Sequence, residues 1–393
     1  MKMEEKIEAG KKYVMHTYNR LPILLEKGQG SVVWDTDGNA YLDFVGGIAV
    51  NCLGHSHPVI VEAIKEQADK MIHCSNLYWI EPQIELAKIL VEHSVMDKAF
   101  FCNSGAEANE GAIKLARKWG KGRFEIISAV HSFHGRTMGA LAATGQEKYQ
   151  KNFVPTLTGF KYAGFNDLES IAGMVDKNTC AIMLEPIQGE GGVNEPDPEF
   201  FKGIRQLCDE YNLLLIFDEV QTGIGRTGKP FAYQHYGIEP DIITLAKGLG
   251  GGVPVGAMLA KDAVAESFEP GDHASTFGGN PLVSHVAHKV CQTVFAPEFL
   301  EAVNDKSEYF RGKLEGLKEE FPFVVRIKGK GLMIGVELSK DATAIPAAML
   351  SRGILINAIG TSVLRFVPAL TIEKSEIDQL IEALKESFRE VLA

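Results

Sequence analysis

The sequence predicts an α/β protein: a large domain built on a mostly parallel sheet flanked by helices, joined to a smaller α+β domain. Two observations carry this expectation. Short runs of apolar, β-branched and aromatic residues alternate with stretches of helical periodicity, the pattern of βαβ units. Beyond about residue 295 the alternation gives way to a long amphipathic segment, a strand pair and a charged closing helix. No repeat of fixed period competes with this reading, so solenoids and propellers are set aside.

Taken in order, Ser31–Val45 reads as a hairpin whose turn is marked by Asp37-Gly38. His57–Met71 carries apolar residues at helical spacing with Pro58 suited to the first turn, and Ile84–His93 and Phe200–Tyr211 look similar. Ala99–Cys102, Phe124–Ile127, Ala181–Leu184, Leu213–Phe217 and Ile242–Leu245 read as strands buried on both faces. Phe299–Glu320 is a long helix, Val324–Leu338 a strand pair and Lys374–Leu392 a closing helix. The expected division is an N-terminal segment (1–50) packing with the small domain, a large domain (51–295) and a small C-terminal domain (296–393).

Composition narrows the function. The 393 residues are 45% hydrophobic and 23% charged, the profile of a globular protein. With 40 Lys+Arg against 51 Asp+Glu, the net charge of −11 disfavours nucleic acid or an anionic membrane as partner, and a small anionic ligand would need a local positive site. The six cysteines form no C-x-x-C pair, which argues against zinc ribbons and thioredoxin-type redox chemistry. The start of the chain lacks an apolar leader, and no stretch of ~18 uncharged apolar residues occurs. The expectation is a soluble protein of a reducing cytoplasm. Glycine stands out, at 40 residues.

Several segments carry chemistry. LLLIFDEVQ puts Asp218 and Glu219 at the carboxyl end of a buried parallel strand, where open α/β sheets bind ligands. A Walker B element looks the same, but no G-x-x-x-x-G-K-[ST] loop accompanies it. In IITLAKGLGGG, Lys247 follows a buried strand and enters a glycine-rich turn, a setting that suits Schiff-base or general-base work; a lysine at a strand end can also simply point to water. Asp218 and Lys247 are one βαβ step apart, so neighbouring strands can bring them together. FFCNSGAEAN runs a strand into a helix start at Ser104, Gly105 and Ala106, which either offers N–H groups to an anion or is a capping box with Glu107. VHSFHGRT supplies Phe133 as a stacking ring and Arg136 as a carboxylate fork; His131 and His134 lack a third clustered ligand, so no metal site is expected. ASTFGGNP offers Ser275 and Thr276 for a phosphate or a turn, LRFVP sets Arg365 in an apolar run, and EPIQGEGGV carries Glu190 in a glycine-rich loop.

SGAEAN, FHGRT, EPIQGEGG, LLIFDEVQTGIGRTG, LAKGLGGG and STFGGNP, in this order over essentially the whole chain, resemble the class III aminotransferases, pyridoxal phosphate enzymes of fold type I. The resemblance implies that Lys247 bonds the cofactor in Schiff-base linkage and that Asp218 pairs with its ring nitrogen. Glu219, Val220 and Gln221 would complete the cofactor contacts along that loop, Gln221 reaching the phenolic oxygen. Phe133 would stack on the ring and Gly105 and Ala106 would hold the phosphate. Thr276 would add a hydroxyl from a partner subunit, making the enzyme a homodimer with shared sites. Arg136, with Ser275 nearby, would bind the substrate α-carboxylate; Arg365 would bind a carboxylate of glutamate or 2-oxoglutarate, with Glu190 masking it for the other substrate. TYNRLPI, GIAVNCLGHSHP and SNLYW look most like members acting on N2-acetyl-L-ornithine in arginine biosynthesis, by a ping-pong mechanism. Ornithine, succinylornithine, N-succinyl-diaminopimelate or 4-aminobutyrate are the alternative donors. The glycine excess is then expected to clear backbone from around a flat cofactor.

Overall fold

The computed structural model describes residues 3–392. Three strands, β1 (Leu25–Gln29), β2 (Val32–Asp35) and β3 (Ala40–Asp43), open the chain. Seven follow: β4 (Lys98–Cys102), β5 (Glu125–Ala129), β6 (Phe160–Ala163), β7 (Thr179–Leu184), β8 (Leu214–Asp218), β9 (Ile242–Leu245) and β10 (Gly256–Ala260). Five more close it: β11 (Val324–Lys330), β12 (Met333–Leu338), β13 (Ile354–Leu355), β14 (Asn357–Ile359) and β15 (Val363–Phe366).

The middle seven form one sheet in the order β4-β10-β9-β8-β7-β5-β6. Every pairing from β9 to β6 is parallel, whereas β10 runs antiparallel to both β9 and β4. Strands β7, β8, β9 and β10 are buried along their whole length, which explains their near-continuous apolar sequence. β10 escapes a sequence reading because GAMLA carries no β-branched residue. The strand expected at Phe124–Ile127 lies slightly further on, since Phe124 is exposed and the buried run is Ile126–Ala129.

The hairpin at β2 and β3 forms as expected, but Asp35 holds its turn: the carboxylate accepts from the backbone N–H of Asp37 at 3.0 Å and of Asn39 at 2.8 Å. β3 continues into a parallel pairing with β13, Leu42 opposite Ile354, so the start of the chain shares a four-stranded sheet with its C-terminal third. A further sheet, β11-β12-β15-β14, packs against the helix Pro297–Glu320, on which the helix Lys374–Leu392 rests in turn.

Parallel strands deliver their carboxyl ends to one side. The loops after β5, β7, β8 and β9, with the helix Gly105–Trp119 that follows β4, therefore surround one space.

Candidate active site

That space is a cavity of about 420 Å³ lined by Gly105, Ala106, Phe133, Glu185, Asp218 and Lys247, among others. Register places Asp218 opposite Thr244 across the β8–β9 pair, and Lys247 stands three residues beyond, opening a 3₁₀ turn with φ 45°. Burial pushes the Lys247 amine down to about 8; Glu190 resists the change and Arg365 reinforces it. A lysine that sheds its proton this close to neutrality is a nucleophile and a base.

Asp218 is 4% exposed. Its Oδ2 accepts from Asn109 Nδ2 at 2.7 Å and meets His134 Nδ1 at 2.8 Å, while Oδ1 accepts from the Val220 N–H at 3.0 Å. Burial works against charge on the His134 imidazole, but the Asp218 carboxylate outweighs it and holds the pKa above the usual value. Thr244 Oγ1 donates to Asn109 Oδ1 at 2.7 Å, which fixes the amide, and Asn109 Nδ2 also reaches the His134 carbonyl at 2.7 Å. His134 is thus engaged by the acid.

Glu185, also buried, accepts from the backbone N–H of Phe133 and of Gly189, each at 3.1 Å. It ties the loop carrying the aromatic ring to the loop carrying Glu190. Burial lifts its carboxyl to about 7, with His134 opposing. Asn109, His134 as the partner of Asp218, and Glu185 are functional positions that sequence reasoning did not find.

At the start of the helix Gly105–Trp119, Ser104 Oγ accepts from Glu107 N at 3.2 Å. The reciprocal half of a capping box is replaced: Glu107 Oε2 accepts from the backbone and side-chain amides of Asn103, at 2.6 and 2.8 Å. The Gly105 and Ala106 N–H groups, which have no acceptor within the helix, remain at the cavity wall for an anion.

Two glycines of the site loops clear room for the protein's own side chains. A Cβ at Gly105 would sit 2.7 Å from Val220 Cγ1, and one at Gly189 2.5 Å from Gln221 Oε1. These two make space for neighbouring side chains that build the walls.

Arg365 is 1% exposed on β15, and its Nη1 pairs with a Glu190 carboxylate oxygen and lies 3.3 Å from Gln221 Oε1, both residues of the cavity wall. Burial alone would raise the Glu190 pKa, but Arg365 reverses this and lowers it. Arg136 also lines the cavity, over the rings of Tyr149 and Phe133.

Two expected contacts, Glu219 and Ser275, lie outside this chain's own cavity, as does Thr276, whose expected place is the partner subunit's site. Glu219 turns away from the cavity: it accepts from Thr222 Oγ1 at 2.7 Å and from the Ala232 and Tyr233 N–H groups at 2.9 and 2.7 Å, and burial raises it to about 7. Successive side chains on an extended backbone point to opposite faces, so Asp218 facing in sends Glu219 out. Ser275 and Thr276 do not line this chain's own cavity; Ser275 Oγ accepts from Asn103 Nδ2 at 3.1 Å and Thr276 is exposed.

Amide donors for a phosphate, a buried carboxylate for a ring nitrogen, an aromatic ring and a lysine of lowered pKa are a donor set that fits pyridoxal phosphate. The fold and site define an enzyme that does carbonyl chemistry on an amine through such a cofactor. Residues 13–388 match the family described as Aminotransferase class-III, and the chain belongs to that family. An acetylornithine aminotransferase of Caldanaerobacter subterraneus subsp. tengcongensis is 58% identical over 97% of this chain and 98% of its own length. The protein of that name in Methanocaldococcus jannaschii is 52% identical over 100% of both. Among solved structures, the ornithine aminotransferase from Toxoplasma gondii superimposes with a TM-score of 0.95 at 32% identity, covering 100% of this chain and 96% of that one. The N-acetylornithine aminotransferase from Stenotrophomonas maltophilia gives 0.84 at 38%, covering 98% and 99%.

Proposed function

We propose that the protein transfers the δ-amino group of N2-acetyl-L-ornithine to 2-oxoglutarate, releasing N-acetyl-L-glutamate 5-semialdehyde and L-glutamate, with pyridoxal phosphate as cofactor. The observation that carries this reading is the Arg365–Glu190 pair at the wall of the lysine cavity. It offers a cation to a dicarboxylate and an internal carboxylate to mask that cation when a substrate without a second carboxylate binds. The names of the relatives supply the acetylated donor.

The cofactor, when bound, supplies an electron-withdrawing ring that makes the substrate carbon acidic. Gly105 and Ala106 would hold its phosphate, Phe133 its ring face, Asp218 its ring nitrogen, Val220 its neighbourhood and Gln221 its phenolic oxygen. His134 and Asn109 keep Asp218 oriented. Lys247 Nζ would hold the cofactor and would be the base that takes the proton from the substrate carbon bearing the amine and later gives it up. Arg136 orients the α-carboxylate of either substrate. The two substrates use one site in turn, so the kinetics are ping-pong.

A homodimer with shared sites belongs to the same reading. Leu77 and Trp79 are 84% and 93% exposed and Phe277 61%. Asn76 Nδ2 donates to the carbonyls of Ser275 and Gly278, at 3.2 and 2.9 Å, joining the two segments into one apolar surface. A second copy covering that surface would bring Ser275 and Thr276 to its own cofactor. Six free cysteines suit the reducing cytoplasm as its location.

Ranking amino donors with 2-oxoglutarate tests the assignment. N-acetylornithine should exceed free ornithine and 4-aminobutyrate in kcat/KM, and a clear preference for free ornithine would overturn it.

A further inference from the structure

We propose that Tyr149 is a positioning residue for substrate recognition, its ring being the platform that holds the Arg136 guanidinium in place with its N–H donors unengaged. This rests on the reading of Arg136 as the group that binds the substrate carboxylate. Arg136 is exposed and, among the described residues, makes no hydrogen bond or ion pair. Its guanidinium carbon instead lies 4.0 Å from the Tyr149 ring centroid and 5.5 Å from that of Phe133. A long exposed arginine without a partner samples many rotamers, and binding a ligand must then order it. An aromatic face restrains the cation through its quadrupole while taking none of the five N–H groups, so the planar fork is kept for a carboxylate.

The platform is itself fixed. Tyr149 sits in the short helix Glu147–Gln150. Just before it, the buried Gln146 donates to the carbonyls of His131 and Ser132 at 3.2 and 3.0 Å. At its end, Gln150 Nε2 donates to the Thr144 carbonyl at 2.6 Å and to Tyr162 Oη at 2.9 Å. The helix is thereby tied to the loop that carries Phe133 and Arg136. Phe133 and Tyr149 meet edge to face, centroids 5.7 Å apart at 81°, so the ring expected against the cofactor and the ring under the arginine brace each other. Lys148 Nζ lies 4.8 Å from the Tyr149 centroid and adds positive charge near the fork. The Tyr149 hydroxyl has no hydrogen bond among the described residues, so the ring is the working part.

The experiment compares Tyr149→Leu, Tyr149→Phe and Arg136→Ala in the holoenzyme, reading KM for both substrates, kcat and the visible absorption of the bound cofactor. Tyr149→Leu should raise KM for N-acetylornithine and 2-oxoglutarate together, about three- to thirtyfold, with kcat held within about twofold and the absorption unmoved. Tyr149→Phe should restore the wild-type KM values. If Arg136→Ala raises both KM values and Tyr149→Leu raises neither, the inference is overturned while the reading of Arg136 stands. If Arg136→Ala moves neither, that reading has itself failed. A shifted absorption band or a collapsed kcat in Tyr149→Leu would overturn the inference by placing the residue's effect at the cofactor.

Discussion

Lys247 joins backbone strain to reactivity. Its φ of 45° puts a side-chain-bearing residue in the left-handed region, which costs roughly 1–2 kcal/mol, and the same turn keeps the amine at the buried end of β9. With the amine at about 8, the neutral fraction is roughly a tenth at pH 7 and nearly complete at pH 9. Cofactor-free protein should therefore combine with pyridoxal phosphate about tenfold faster at pH 9 than at pH 7, levelling above 8, whereas an ordinary lysine would give about a hundredfold rise with no plateau. Stopped-flow absorption across that range checks it. At Glu190, replacement by Ala unmasks Arg365, so reaction with glutamate should gain relative to N-acetylornithine; an unchanged ratio of kcat/KM values would sink the masking role. Asp218 and Lys247 are legible in the chain because each follows a buried apolar strand whose end faces the ligand side. Glu219 is misread for the same reason, since its neighbour's signal spills onto it. Asn109 carries no local signal, because its partners come from distant segments and exist only once the chain has folded; Glu185 follows a buried strand as Asp218 does, but its tie to the Phe133 and Gly189 N–H groups exists only in the fold.

Among the elements, the helix Gly105–Trp119 shows how a small residue sets a binding surface. Val220 can reach the helix start only because residue 105 lacks a Cβ. Gly105→Val should weaken cofactor retention about tenfold, about 1.4 kcal/mol, and Val220→Ala in the same chain should recover most of it. Equilibrium titration with pyridoxal phosphate measures both. Removing the cap by Ser104→Ala should cost about 1 kcal/mol in global stability, read by urea unfolding. Helices with a clear apolar stripe, Phe200–Tyr211 and Lys374–Leu392, are read from the sequence to the residue. β10 is not, because tertiary burial overrides the weak strand preference of GAMLA.

At the level of the whole molecule, the excess of acidic residues means that long-range attraction does not gather the anionic substrates. On the proposed reading their recognition would fall to placed cations, Arg136 from the loop after β5 and Arg365 from β15 of another sheet. The apolar surface at Trp79 and Phe277 belongs to this scale too. Replacing both by Asp should yield monomers in sedimentation that fold but lose the cofactor, and a dimer that persists and retains it would remove the shared-site reading. The parallel succession of β5, β7, β8 and β9 was legible as alternation in the chain, whereas the entry of β15 into the site was not, because nothing local tells an apolar run with one arginine which sheet it will join.

The Glu190–Arg365 pair has one more consequence. A carboxylate tethered to its cation is a resident competitor whose local concentration never falls, however dilute the free acids become. If Arg365 receives the dicarboxylate as proposed, an entering one must displace Glu190, and a departing one is replaced by it without waiting for an encounter. Affinity for the acceptor is then a difference between two carboxylates, one carried by the protein, so that changing the reach of the Glu190 loop would tune product escape without altering any atom that touches the product.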